Sequence, residues 1–196
     1  MRDGLQVAPA YGPALEYGEE RPAVHIALLP GRGCLRLKSW LPAGSPDTRG
    51  SEFAGSKLPS ITRTSTAGEL RILCVGPDEW LVVADAADKL EFAAGAWSKS
   101  SGAESIALVS LSDAMAGVRV QGRAARQVLS KGCGLDFHPD SFPPGRCART
   151  LFAKIAAVVD CVGPEHFDLY VARSYLTWLQ NWLADAVTEF LAEQMS

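Results

Sequence analysis

The stretch that organises the chain is Lys131 to Arg149, KGCGLDFHPDSFPPGRCAR. It holds three prolines, three glycines, two cysteines and a histidine between a helical pattern and a strand pattern. Proline lacks a backbone donor and glycine weakens regular elements, so the run is neither helix nor central strand. Leu135, Phe137 and Phe142 are too apolar for a solvated linker. The composition predicts an ordered loop lying over a core, of the kind that often carries function. It leaves open whether the job is chemistry or contact.

Outward from this loop, three rounds of strand, strand and helix are expected. Ahead of these rounds, Val24–Leu29 and Cys34–Lys38 read as two strands joined by a hairpin turn at Pro30–Gly33. Gly31-Arg32-Gly33 lacks the third glycine and following helix of a dinucleotide fingerprint, so a turn is the better reading. Residues 41–67 form a Pro-, Gly- and Ser-rich loop or insertion. Leu70–Val75 and Trp80–Ala84 then make a hairpin around Gly76-Pro77-Asp78-Glu79, and Ala86–Trp97 is helical. The second round places strands at Ile106–Leu111 and Gly117–Gln121, then a helix opened by Gly122 and ended by Gly132. After the loop come a strand-rich run at Thr150–Cys161, a turn at Gly163-Pro164-Glu165 and a strand at Phe167–Ala172. Ser174 is expected to cap a long helix whose stripe, Tyr175, Trp178, Leu179, Trp182, Leu183, Ala186, Val187 and Phe190, faces the core. The fold class is α+β: antiparallel sheets with helices on one face. The domain runs over residues 23–196, preceded by an arm at 1–22. The arm's Tyr11 and Tyr17 pack either on a partner or on the domain itself.

The chain has 196 residues, 47% of them hydrophobic and 21% charged, which is enough for one substantial core. A formal net charge of -3 gives no basic footprint for nucleic acid. No apolar run nears the roughly 20 residues of a membrane span, and no secretory leader opens the chain, so a cytoplasmic location is expected. Five cysteines without a Cys-x-x-Cys pair argue against both a disulfide framework and structural zinc. Cys34, Cys74 and Cys161 read as buried hydrophobes.

Chemistry has few candidates. Cys133 or Cys147 with His138 is the local nucleophile–base pair, with Lys131 and Arg146 as electropositive neighbours. Local bonds from Asp136, Asp140 and Ser141 would equally fix a purely structural loop. Arg146, on the stiff turn after Pro143-Pro144-Gly145, faces either a carboxylate across an interface or an internal acid such as Asp136, the latter preferred. Asp113 reads as a turn former. Asp160 and Asp168 are taken to face water. No acid pair is spaced for general acid–base work.

Three stretches carry a resemblance: GPDEWLVV at Gly76–Val83, VSLSDAMAGVRVQGRAARQVLSKGCGLDFHPDSFPPGRCARTLFAKI at Val109–Ile155, and FDLYVARSYLTWLQNWLADA at Phe167–Ala186. In this order they resemble the gamma subunit of heterotetrameric sarcosine oxidases, over about Leu70 to Phe190. That subunit is similar to the folate-binding fold of the glycine-cleavage aminomethyltransferase. The transferase family's Asp-Val-Ser-His segment resembles Ser110-Leu111-Ser112-Asp113, with serine for the leading acid and aspartate for the histidine. Its later catalytic aspartate falls on the apolar stretch Ile155–Ala157, where Asp160 is the nearest acid.

The resemblance implies a structural subunit without catalytic, cofactor or metal residues of its own. It would sit in a complex that oxidatively demethylates sarcosine with tetrahydrofolate as acceptor. FAD, FMN, NAD, zinc and tetrahydrofolate would be held on or between the alpha, beta and delta subunits. His138, Pro143, Pro144, Gly145 and Arg146 are then the expected subunit contacts. The alternatives are a stand-alone tetrahydrofolate-dependent aminomethyltransferase and a folate-binding module.

Overall fold

Alternate residues of the long strands point into different cores, and this sets the layering. In the computed structural model, which describes residues 23–40, 52–100 and 106–192, two five-stranded antiparallel sheets are stacked. The strands are β1 (His25–Leu29), β2 (Gly33–Ser39), β3 (Glu52–Phe53), β4 (Ser56–Lys57), β5 (Thr64–Ala67), β6 (Leu70–Gly76), β7 (Glu79–Ala84), β8 (Ile106–Ser110), β9 (Met115–Gln121), β10 (Cys147–Phe152), β11 (Ile155–Gly163) and β12 (His166–Ala172). The helices are α1 (Ala87–Ser100), α2 (Ala125–Gly132), α3 (Leu176–Ala186) and α4 (Thr188–Ala192). The first sheet has the order β1-β9-β12-β11-β10 and the second β5-β6-β7-β2-β8.

On β11, Ala157 and Val159 join a core with α2, α3 and α4, while Val158 points the other way. On β2, Leu35 and Leu37 pack under α1, while Cys34 faces inward. Cys34, Leu73, Leu81, Val83, Cys147, Val158 and Tyr170 fill the space between the sheets. Each sheet thus carries helices on one face and its sister sheet on the other. Strands buried on both faces read as nearly continuous apolar runs, which is why β7 and β12 show almost no exposed position.

The α+β expectation holds, and several local expectations are corrected. The first two strands form no hairpin: β1 pairs with β9 and β2 pairs with β7 and β8, in different sheets. Gly31-Arg32-Gly33 is the crossing between them. Gly31 has φ +68°, a conformation that disfavours a side chain, and a Cβ on Gly33 would stand 2.8 Å from the Cα of Ala87. The motif therefore serves a tight crossing and the close approach of α1. Likewise β8 and β9 lie in separate sheets.

Within the run at 41–67, the described part is not plain loop: β3 and β4 make a small hairpin with Phe53 fully buried, and β5 pairs with β6. The expected arm at 1–22 and residues 41–51 lie outside the described residues. The strand-rich run after the loop is a hairpin, β10–β11, turned by Ala153 and Lys154 at φ 44° and 76°. Two positive-φ residues suit the twist of a two-residue hairpin, but no Asn or Gly announces it.

Ser174 does not cap the last helix. Residues Arg173–Tyr175 form a 3-10 turn, Tyr175 is the cap position without a side-chain bond, and the helix breaks between α3 and α4 at Val187. Arg173 anchors the start instead, donating to the carbonyls of Asp113, Ser112 and Met115 at 2.7, 2.9 and 2.9 Å. The aromatic stripe is only partly core: Leu179 and Leu183 are buried, whereas Tyr175 and Trp178 are exposed.

Candidate functional site

The loop from 133 to 146 is fixed by bonds that the sequence only partly announces. The Asp136 carboxylate accepts the His138 backbone N–H at 2.9 Å, and the Ser141 hydroxyl with that N–H holds its carboxyl below the ordinary value. Ser141 and Phe142 donate backbone bonds to the His138 carbonyl at 3.0 and 2.8 Å. Phe137 packs edge-on against Phe142 and Phe167, with Arg126 4.9 Å above the Phe167 ring. Arg126, which sequence reading passed over, also donates to the carbonyls of Phe137, Phe142 and Pro164. One guanidinium thus ties the loop to its core, as a planar set of fixed donors can.

The far end of the loop stitches the two sheets together. Thr64 donates its N–H to the Gly145 carbonyl and Cys147 to the Thr62 carbonyl, both at 3.0 Å. The Gly145 N–H donates to the Cys161 carbonyl and the Cys161 N–H to the Arg146 carbonyl, each at 2.9 Å. The Arg146 guanidinium donates to the Thr62 hydroxyl at 2.9 Å. The preferred pairing of Arg146 with Asp136 is therefore corrected. Asp136 is occupied by its own turn, and Arg146 reaches the strand segment it is stitched to. Among the expected contact residues, His138 and Pro144 are exposed, Pro143 and Gly145 are half-buried, and Arg146 is spent internally.

No cysteine meets His138. Cys133 Sγ lies 3.4 Å from the Thr150 hydroxyl, and Cys147 Sγ donates to the carbonyls of Cys74 and Arg63. Burial pushes the Cys147 thiol up to about 12 and the Cys34 thiol up to about 11, so neither supplies thiolate at neutral pH. His138 is exposed and faces Asp140. Among the described residues no group of three His, Cys, Asp or Glu side chains could hold a metal ion.

Among the described residues a cluster of titratable groups lies elsewhere, in and beside the seam between the sheets. Asp160 on β11 is 0% exposed, and both of its oxygens accept from Arg71 on β6, one of them at 2.6 Å. Asp168 on β12 is 2% exposed and accepts from Arg119 on β9 at 2.8 and 3.0 Å. Arg32, from the crossing, reaches Asp168 at 3.4 Å and Asp85 at 3.3 Å. The expectation that Asp160 and Asp168 face water is corrected.

The signal was present in the sequence. Each acid stands inside a run, VVDCV and FDLYV, that is apolar on both sides. In a strand buried on both faces, a charge must find a partner. The arginines that supply it come from distant strands, which spacing alone cannot pair.

Burial raises the Asp160 carboxyl, against the pull of the Arg71 hydrogen bonds and charge. Desolvation acts against the Arg71 charge, but Asp160 outweighs it and holds the guanidinium above its ordinary value. Burial first, then the Arg119 charge, lowers His166, despite Asp168 3.7 Å away. Burial also pushes the Tyr170 phenol well above its usual range. Asp160 with Arg71 clamps sheet to sheet, whereas Asp168 with Arg119 is a cross-strand pair within the first sheet. Both Asp160 oxygens are engaged by Arg71, three residues beyond the stretch Ile155–Ala157 on β11. Tyr170, Leu73, Leu81 and Val83 fill the seam, so its described residues do not fit a folate or flavin.

At its outer end the seam opens to solvent. Glu79 on β7 bridges Arg36 and Lys38 of β2 to Arg149 of β10, and Arg149 with Arg36 lowers the Glu79 carboxyl against its partial burial.

Comparison with known proteins assigns this architecture. Residues 49–189 match the "Sarcosine oxidase, gamma subunit family". The chain is 30% identical over 138 residues to sarcosine oxidase subunit gamma of Arthrobacter sp., covering 69% of this chain and 66% of that one. It is 29% identical over 126 residues to the corresponding subunit of Corynebacterium sp. (strain U-96), covering 64% and 60%. The matched part thus spans about two thirds or less of these relatives' length.

A solved structure, heterotetrameric sarcosine oxidase from Corynebacterium sp. U-96 in complex with pyrrole 2-carboxylate, aligns with a TM-score of 0.75 at 26% identity, covering 86% of each chain. The glycine cleavage system aminomethyltransferase T from Bartonella henselae shares the fold, with a TM-score of 0.61 at 11% identity, over 83% of this chain and 46% of that one. The chain belongs to the sarcosine oxidase gamma subunit family.

Proposed function

We propose that this chain is a structural, non-catalytic subunit of a four-subunit, cytoplasmic, sarcosine oxidase-type complex. The complex would oxidatively demethylate sarcosine to glycine, passing the one-carbon unit to tetrahydrofolate. The observation that carries this reading is the seam. In a family whose relatives are named as oxidase subunits, the buried acids Asp160 and Asp168 are both held by arginines. Pairing of buried acids with arginines supports a role for them in holding the fold rather than in proton transfer.

FAD, FMN, NAD, zinc and tetrahydrofolate then belong to the alpha, beta and delta partners or to their junctions. This chain contributes surface. The loop residues His138, Pro143 and Pro144 remain contact candidates, while Arg146 acts on the loop's own geometry.

The test is to purify the tagged chain alone and together with the three other subunits. The expected result is a flavin-free chain alone and a flavin-bearing assembly that retains it when co-expressed. Titration of the isolated chain with tetrahydrofolate in a calorimeter should give no heat of binding. Tight binding with aminomethyl turnover would instead establish a free-standing transferase.

A further inference from the structure

We propose that the open end of the inter-sheet seam docks an acidic segment of a partner subunit, a reading that rests on the subunit role above. Three cations, Arg36, Lys38 and Arg149, gather around one carboxylate, Glu79. Arg36 and Arg149 are 50% and 44% exposed, so their charge is offered outward and only partly compensated. On a chain of net charge -3 this is a local reversal of sign.

Apolar side chains flank it on both sheets. Val109 stands directly across from Arg36 in the β2–β8 ladder and is 47% exposed. Leu151 lies two residues along β10 from Arg149, on the same face, and is 64% exposed.

An exposed apolar pair beside under-neutralised arginines has the composition of an unfilled contact: apolar anchors to exclude water, and arginine to receive a carboxylate. An arginine fork binds a carboxylate in two parallel bonds, so the fitting partner presents Asp or Glu next to an apolar side chain. A second copy of this chain would bring the same positive face against itself, and like charges across an interface disfavour association.

The experiment uses the co-expressed complex. Wild type should retain its partners. Arg36→Glu and, independently, Val109→Glu should each lower the retained partner by about tenfold or more, as like-charge contacts at interfaces do. Val109→Glu replaces no member of the Glu79 ion pairs, so it reports on docking separately from any effect of Arg36→Glu on folding. Arg123→Glu, an exposed control on the loop before α2, should change nothing. Retention by the wild type should weaken as salt screens the contact.

A benzophenone-bearing residue in place of Val109 should cross-link to an acid-rich partner segment. Cross-links to a second copy, or to this chain's own residues 1–22, would overturn the assignment. Intact assembly in both variants would overturn the surface while leaving the subunit role standing. Failure of the wild type to assemble would remove the subunit role itself.

Discussion

The two ends of the inter-sheet seam use the same chemistry to opposite ends. At the closed end, Asp160 with Arg71 and Asp168 with Arg119 are withdrawn from water and matched. At the open end, Arg36, Lys38 and Arg149 share one carboxylate in contact with solvent. Burial makes the difference. A desolvated charge is costly unless paired, so the closed end tolerates no excess of either sign. An exposed charge is screened and nearly free to sit unpaired, so the open end can hold surplus cation for something outside the chain.

The largest effect should come from breaking the closed end. Asp160→Ala leaves the Arg71 guanidinium without its partner in the seam and should destabilise the chain by about 3–5 kcal/mol, read by denaturant unfolding. The double change Arg71→Met with Asp160→Leu should recover most of that loss, because well-packed apolar residues can replace a buried pair. If the single and double variants are equally unstable, the pair is not the clamp.

Gly33→Ala comes next. Its Cβ would strike the backbone of Ala87 at the start of α1 and of Ala86 just before it, and overpacking of this kind costs about 1–3 kcal/mol. A melting temperature unchanged from wild type would show that α1 does not rest on β2 at this point.

His166 gives the seam a pH signature. Its folded value is lowered, so below the unfolded value of about 6.5 the unfolded chain binds more protons than the folded one. The stability it confers is full above that value and is lost as pH falls through the folded one. His166→Gln should flatten this part of the stability profile. Glu79→Gln at the open end should matter least for stability, within about 1 kcal/mol, since its partners are exposed. The lowered Glu79 carboxyl contributes above the ordinary carboxylate value, and its share disappears as pH falls through the folded value.

These regions also differ in how far the sequence reveals them. The β6–β7 hairpin, α1 and the ordered loop were legible, because turn residues and apolar periodicity are local signals. The layering was harder. Strands β1 and β2 are adjacent in sequence and look like a hairpin, yet Gly31 carries the chain from one sheet to the other. Nothing local distinguishes a return from a crossing.

The Ala153–Lys154 turn escaped for a related reason: it adopts left-handed geometry without the residues that usually signal it. The loop was rightly read as ordered, but its anchor, Arg126, lies in the preceding helix. The seam acids are visible in the sequence, but their burial is not. Strand by strand, Asp160 and Asp168 look solvent-facing, and only two sheets face to face make them interior. Trp178 was misplaced in the opposite direction, being on the expected stripe yet 41% exposed.

The central claim is that the chain holds itself together through the closed end and serves a larger assembly through its surface. Native mass measurement of the tagged chain, expressed alone and with the other three subunits, tests it most directly. The account predicts a flavin-free species alone and a four-subunit, flavin-bearing assembly containing one copy of this chain on co-expression. A stable, flavin-containing species formed by this chain by itself would contradict it.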